Sequence, residues 1–447
     1  MFKWLINFFK TGVDKPLLED ESEIKNIYEK KRWKIYITLI FGYAFFYTTR
    51  LGLSVAKKPL LDAGILDVTE MGIIGSVLLY TYAIGKFTNG ILSDHANIRR
   101  FMSTALLLSA VVNLLFGFTN NFYVFAILWG FNGWFQSIGS APSVVSICQW
   151  YSNKERGTRY GVWAGAHNIG EGITFVGTAL LISMFGWQWG FIGPGIACII
   201  VSVFMFIYLA DRPQTYGLPH VAEYTKDYSA GKPTTTPISK LHFEVIKSPI
   251  VWVLGLSSAF MYTARYAINN WGILFLQESK NYSLVDASFA MGAYPILGFL
   301  GAVLSGIISD RFFKSKRNIP TLIYGLSEII GMLILFLNPA GNPVIDMIAL
   351  GLFGFGIGGL IVFLAGLVAI DLFPKGVAGS IKGLIGLFSY IGAATQDLIS
   401  GYLIDASKIV VDGKDVYNFD NAFFFWIGAS VLSMLLALTV WNVKPKE

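Results

Sequence analysis

Gly90-Ile91-Leu92-Ser93-Asp94-His95-Ala96-Asn97-Ile98-Arg99-Arg100 decides how this chain is organised. It joins two long apolar runs and recurs as Gly306-Ile307-Ile308-Ser309-Asp310, followed by Arg311, Lys314, Lys316 and Arg317. An arginine precedes each copy at nearly the same distance: Arg50 lies 44 residues before Asp94, and Arg265 lies 45 before Asp310. A second correspondence runs at a constant offset of 222. Gly157, Thr158, Gly161, Ile169 and Gly170 match Gly379, Ser380, Gly383, Ile391 and Gly392. Two matches in the proper order mark a chain built from two related halves.

The apolar runs set the class. The chain is 54% hydrophobic and only 14% charged, about half the charged share of a soluble domain. Stretches of the roughly 20 residues that cross a bilayer are expected at about 33–55, 70–92, 101–119, 123–148, 160–184, 189–210, 250–277, 286–309, 319–338, 343–372, 379–404 and 421–442. A polar interval with Pro213, Pro219, Pro233 and Pro237 divides these spans six and six. The expected fold is an all-α membrane protein with twelve transmembrane helices in two pseudo-symmetric six-helix bundles. Its parts are an N-terminal tail at 1–32, a first bundle at 33–210, a linker at 211–248, a second bundle at 249–442 and a tail at 443–447.

Basic residues orient the chain. The tails, the loops and the span ends on their side hold 26 of the 34 Lys and Arg. The opposite loops are expected to hold five: Lys57, Lys58, Lys280, Lys408 and Lys414. Both termini are therefore expected in the cytoplasm. The net charge of +6 reflects this topology, and a nucleic-acid partner has no support. Cys148 and Cys198 fall within spans, so no disulfide framework is implied. Residues 1–10, with Phe2, Trp4, Leu5, Phe8 and Phe9, suit a helix lying on the membrane surface rather than a signal peptide.

Arg50, Lys86 and Arg265 fall inside spans. An arginine at the centre of a membrane helix costs about 2.5–3.5 kcal/mol on the insertion scale, so it normally faces a bundle interior and has a function. Two arginines in equivalent places suggest an anion gripped between the halves. A guanidinium offers a planar fork and a permanent charge, and a phosphate monoester carries about −1.5 to −2. Two unliganded arginines about 6 Å apart would repel by roughly 3 kcal/mol at an effective dielectric of 20, which a bound phosphate would relieve.

Tyr43, Tyr47 and Arg50 share one helical stripe, Tyr262 precedes Arg265 by three, and Tyr82 and Lys86 are four apart. His167 is a candidate to gain a proton as phosphate approaches, and Glu171, one turn on, is a candidate to hold that proton or to orient the ring. Asp397, seven residues after Tyr390, is a further carboxylate without a nameable partner and a candidate for proton coupling. No metal site or cofactor loop emerges, and Gly354-Phe355-Gly356-Ile357-Gly358-Gly359 reads as close helix packing.

The chain resembles the organophosphate:phosphate antiporters of the major facilitator superfamily. The resemblance rests on the duplicated Gly-x-x-Ser-Asp loop and on Gly42-Tyr43…Tyr47…Arg50, Tyr82…Lys86-Phe87, Gly133-Trp134-Phe135-Gln136, Trp163…His167-Asn168-Ile169-Gly170, Pro213-Gln214…Gly217-Leu218-Pro219, Tyr262…Arg265-Tyr266 and Pro374-Lys375…Gly379. It implies that Arg50 and Arg265 grip a phosphate, that His167 joins them and that Lys86 lines the path. Tyr43, Tyr47, Tyr82, Tyr262 and Tyr390 are the pocket candidates. It also implies a cytoplasmic latch across the seam between halves, made by Asp94, Arg99, Arg100, Asp310 and Arg311. Ala164, Gly359 and Glu171 depart from the glycerol-phosphate pattern; the first two lack polar side chains there, so a roomier cavity is expected. Phe135-Gln136-Ser137 and Ile381-Lys382-Gly383 lean toward the hexose-phosphate members.

The implied activity is exchange of a sugar phosphate or other organophosphate for inorganic phosphate in a bacterial inner membrane. The protein is expected to be a monomer with no cofactor and no enzymatic activity. A receptor for external hexose phosphate on the same scaffold is the alternative.

Overall fold

A computed structural model describes residues 7–227, 243, 245–313, 317–364, 368, 378–411 and 414–441. The Pro374-Lys375 motif, Lys314, Lys316 and the Asp310 side chain lie outside the described residues, as do residues 228–242 and 244 of the expected linker and residues 1–6.

The first half is built from α1 (Glu21–Thr48) with α2 (Gly52–Asp62), α3 (Val68–Ser93), α4 (Ile98–Phe116), α5 (Phe122–Gln136) with α6 (Ser140–Trp150), α7 (Asn153–Ala164) with α8 (Ala166–Phe185), and α9 (Trp189–Tyr208). The second comprises α10 (Pro249–Lys280), α11 (Leu284–Met291) with α12 (Ala293–Phe312), α13 (Asn318–Leu337), α14 (Pro343–Val362), α15 (Ala378–Ala406) and α16 (Asp420–Thr439). A short hairpin of β1 (Ile409–Val411) and β2 (Lys414–Val416), pairing Ile409 with Val416, links α15 to α16. Helix starts follow their caps. Asp67 and Glu70 form a reciprocal capping box on α3, and Asn97 accepts from the Arg100 amide on α4.

Among the described residues, nine helices or helix pairs are long and apolar enough to cross a membrane. The other three expected spans are helical too. The fourth is interrupted between α5 and α6, while α10 and α15 carry Arg265 and the pair Gln396 and Asp397, which lower their hydropathy.

Among the described residues the most extensive contacts between the halves are α3 along α15, α8 against α11 and α12, and α2 against α10. The first two are equivalent under exchange of the halves. Repeat-related residues even meet: Lys382 Nζ donates to Tyr160 Oη at 2.7 Å, across the same offset of 222. On the face away from the termini the halves are closed. Lys58 bonds Glu278, Thr69 Oγ1 donates to Asp405 at 3.0 Å, and Ser76 Oγ donates to the Ala394 carbonyl at 2.9 Å. Small residues permit this approach. A Cβ on Gly72 would sit 2.8 Å from the Asp397 carbonyl oxygen and 3.0 Å from the Gly401 Cα.

Two expectations are corrected here. Lys57 and Lys280 are not loop residues: Lys57 is 2% exposed within α2, and Lys280 is 5% exposed at the end of α10. A lysine near the end of an apolar run reads as a loop cation, and only packing reveals its burial.

Among the described residues, the arginines of the first duplicated loop bond only within their own half. Arg100 Nη1 donates to the Phe8 carbonyl at 2.9 Å and Arg99 Nε donates to the Phe206 carbonyl, both within the first half. Asp94 and Arg311 are exposed, and Arg317 Nη1 donates to Ser309 Oγ at 2.8 Å. Arg100 binds the N-terminal segment because that segment runs directly beneath it. Lys10 bridges Ala96, and Asp211 accepts from Thr11, the Gly12 amide and Asn97.

Candidate functional site between the halves

Arg50 sits at a break in the first span. The amides of Arg50 and Leu51 both turn back to the Tyr47 carbonyl at 3.1 Å, and α2 starts afresh at Gly52. Broken backbone within a membrane survives only where its polar groups find partners. Here Asn113 and Asn132 donate to the Thr49 carbonyl at 3.0 and 2.7 Å, and Gln136 donates to Thr49 Oγ1 at 2.9 Å. Ser109 joins them, donating to Asn132 Oδ1 at 2.6 Å. This buried polar knot turns the chain so that Arg50 leaves the helix where α1 ends. Arg265, by contrast, rises from the middle of the continuous α10.

Both arginines are buried, at 5% and 4% exposure, but their surroundings differ. The Arg50 guanidinium lies over Tyr47 and Tyr82, 4.7 and 4.2 Å from the ring centres. Among the described residues its Nε and Nη1 have no hydrogen-bond partner. Arg265 is satisfied. Its Nη2 donates to Glu171 Oε1 at 3.1 Å and its Nε to Tyr294 Oη at 3.3 Å. Asn269 Nδ2 donates to the same Glu171 oxygen at 3.2 Å.

The expected repulsion between two bare arginines therefore gives way to one arginine paired across the seam and one left unpaired. Glu171 bonds the opposite half rather than orienting His167, whose Nδ1 lies 2.5 Å from the Ala164 carbonyl.

Tyrosines close the space between the arginines. Tyr82 and Tyr390 meet at 4.4 Å between ring centres, and Tyr390 lies 5.4 Å from Tyr262 and 6.0 Å from Tyr266. Tyr262 and Tyr266 each lie about 5.5 Å from the Arg265 guanidinium. Tyr47 faces Tyr43 at 5.6 Å and His167 at 5.8 Å. Lys86 points its ammonium at Tyr390, 4.7 Å from the ring centre. The phosphate-site residues named from the sequence thus form one connected cluster of ring and cation contacts between the halves. Close packing holds His167 there: a Cβ on Gly170 would lie 2.2 Å from the Ala44 carbonyl.

Tyr266, Tyr294 and Asn269 were not singled out as ligands, although Tyr266 adjoins Arg265 in the quoted motif. Asp397 gains partners the sequence could not name. Trp271 Nε1 donates to its Oδ1 at 2.6 Å, and Lys57 Nζ is 4.0 Å away. The expected extra room at Gly359 is absent: a Cβ there would lie 2.3 Å from Tyr324, whose ring already fills the space. The remaining glycines of that run pack as read, Gly354 against the Tyr294 carbonyl and Gly358 against that of Gly298.

With this geometry in hand, similarity becomes informative. The family model for the Major Facilitator Superfamily matches residues 39–395. The Glycerol-3-phosphate transporter of Bacillus subtilis (strain 168) is 35% identical over 456 residues, covering 99% of both chains. The chain belongs to the organophosphate:phosphate antiporter family of that superfamily. A further member of this antiporter family, the Probable hexose phosphate transport protein of Chlamydia pneumoniae, is 32% identical, covering 96% of this chain and 95% of its own. The Membrane sensor protein UhpC of Escherichia coli (strain K12) is also 32% identical, covering 99% and 100%. Membership makes this an integral membrane protein of the major facilitator fold.

Proposed function

We propose that the protein is a secondary carrier that exchanges a sugar phosphate or other organophosphate for inorganic phosphate by alternating access, with hexose 6-phosphate favoured and glycerol 3-phosphate next. The observation that carries this reading is the buried Arg50 guanidinium with two unpartnered nitrogens. A buried polar group without a partner is costly, and more so when charged. A phosphate oxygen is the group whose geometry and charge fit that fork.

Counting His167 as neutral, Arg50, Lys86 and Arg265 against Glu171 leave a site charge of about +2, matched to a phosphate monoester of about −1.5 to −2. Exchange follows from the same charge. Closing over an empty site strands Arg50, whereas a second phosphate compensates it during the return. The basic bias of the terminal side supports a cytoplasmic location for both termini, and the relatives support a bacterial inner membrane.

Proteoliposomes loaded with phosphate should take up labelled hexose 6-phosphate at least tenfold faster than phosphate-free ones. Equal rates would remove the exchange reading. Competition by glycerol 3-phosphate and phosphoglycerate in the same assay ranks the substrates.

Glu171 supplies a second prediction. It occupies the Arg265 nitrogen that an incoming phosphate needs, so carboxylate and phosphate compete. In Glu171→Gln, phosphate affinity measured by titration of the purified protein should rise about tenfold, roughly 1.4 kcal/mol. A weaker affinity would mean that Glu171 instead holds Arg265 in its binding position.

A sensing role is the second reading, favoured by the full-length similarity to the sensor UhpC. Phosphate binding without any exchange by the wild-type protein would select it.

A further inference from the structure

Lys57 and Asp397 meet across the seam beside Arg50, and their contact is loose. The ammonium lies 4.0 Å from Asp397 Oδ1 and over the Trp271 ring at 3.0 Å from its centre. Lys57 Nζ makes no hydrogen bond among the described residues although the residue is 2% exposed. Lys280 provides the contrast. It bonds Asp346 directly, Tyr282 and Asn338 complete that carboxylate, and all four residues belong to the second half. That pair is finished and static. The Lys57 pair joins opposite halves, leaves donors unused, and lines a common cavity with Arg50, Ser54, Tyr266 and Asn270.

Lys57 also follows Arg50 by seven residues, about 10 Å at helical rise, toward the closed face. Two buried cations with unpartnered donors therefore line one cavity between the halves, Lys57 on the side of the closed face. When the halves part on this side, Asp397 and Trp271 leave with the second half and Lys57 stays with the first.

We propose that Lys57 is an anion-binding station for the incoming phosphate group on the face away from the termini. It takes the phosphate dianion in exchange for Asp397 and passes it to Arg50, and Asp397 resumes its place as the face closes. The proposal rests on the carrier reading and adds to it a binding residue and a direction-specific role. A lysine suits a transient station because its ammonium is a mobile point charge, whereas the arginine fork fixes orientation.

The test uses Lys57→Met, Asp397→Asn and the double variant K57M/D397N, which leaves no lone charge buried. KM for labelled organophosphate is measured from each face in oriented proteoliposomes. The expected result is a KM at the face away from the termini raised about tenfold in Lys57→Met, and equally raised in the double variant. The KM at the terminal face moves less than twofold, and in Asp397→Asn the KM at the far face falls about threefold.

Rescue of K57M by D397N, or equal KM changes at both faces, would overturn the station and leave Lys57 as the counter-ion of Asp397. Inorganic phosphate binding to the detergent-purified proteins reads the station without transport. Affinity should order as D397N tighter than wild type, and wild type tighter than the double variant; any other order overturns the proposal. A wild-type protein that keeps this order yet exchanges nothing fails the carrier reading alone.

Discussion

Exchange by Arg50→Lys proteoliposomes should fall about 100-fold while the folded protein survives in the membrane. Lysine keeps the charge but cannot reproduce two parallel hydrogen bonds. Loss of one charge-assisted bond costs about 1.5–3 kcal/mol, or about 10–100-fold in affinity at 1.4 kcal/mol per decade. The upper end is expected because Arg50 Nε and Nη1 have no partner among the described residues to share the load. The polar knot that turns the chain uses the Thr49 backbone and hydroxyl rather than the guanidinium, so the break in the first span should persist. Rates within threefold of wild type would mean that Arg50 is not a ligand.

Gly72→Val should block exchange by a different route. The closed face depends on backbone contact between α3 and α15, where a Gly72 side chain would strike the Asp397 carbonyl and Gly401. Overpacking costs about 1–3 kcal/mol. Here that cost falls on the closed arrangement and not on the one in which these helices separate. Closed molecules should become about 10–100-fold rarer, exchange should fall to match, and a thiol introduced at Ser54 should label faster from the face away from the termini. The label requires a background without Cys148 and Cys198, neither of which is disulfide-bonded. Wild-type exchange with unchanged labelling would show that the α3–α15 contact does not gate that face.

The helical architecture was legible because bilayer thickness imposes a fixed apolar length, and because duplication repeats the Gly-x-x-Ser-Asp loop and the arginines at matching distances. The site was legible as far as single helices carry it: Tyr43, Tyr47 and Arg50 share a stripe, as do Tyr82 and Lys86. Contacts across the seam were not. Glu171 with Arg265, and Lys57 with Asp397, depend on how two separate bundles sit against each other, and no periodicity within one helix encodes that. The partners of Arg99 and Arg100 were not legible for the same reason. Arg99 and Arg100 carry charge that fits many partners, and the N-terminal segment that takes Arg100 is distant in sequence. Gly359 misled in the opposite way, since a missing side chain reads as space until Tyr324 is found filling it.

One phosphate held jointly by Arg50 and Arg265 is the claim on which the account depends. Phosphate affinity of wild type, Arg50→Lys, Arg265→Lys and the double variant, measured by titration of purified protein, forms a double-mutant cycle. A shared ligand predicts losses that fail to add, with a coupling of about 1–3 kcal/mol. Losses that add within about 0.5 kcal/mol would place the two arginines on separate anions and contradict it.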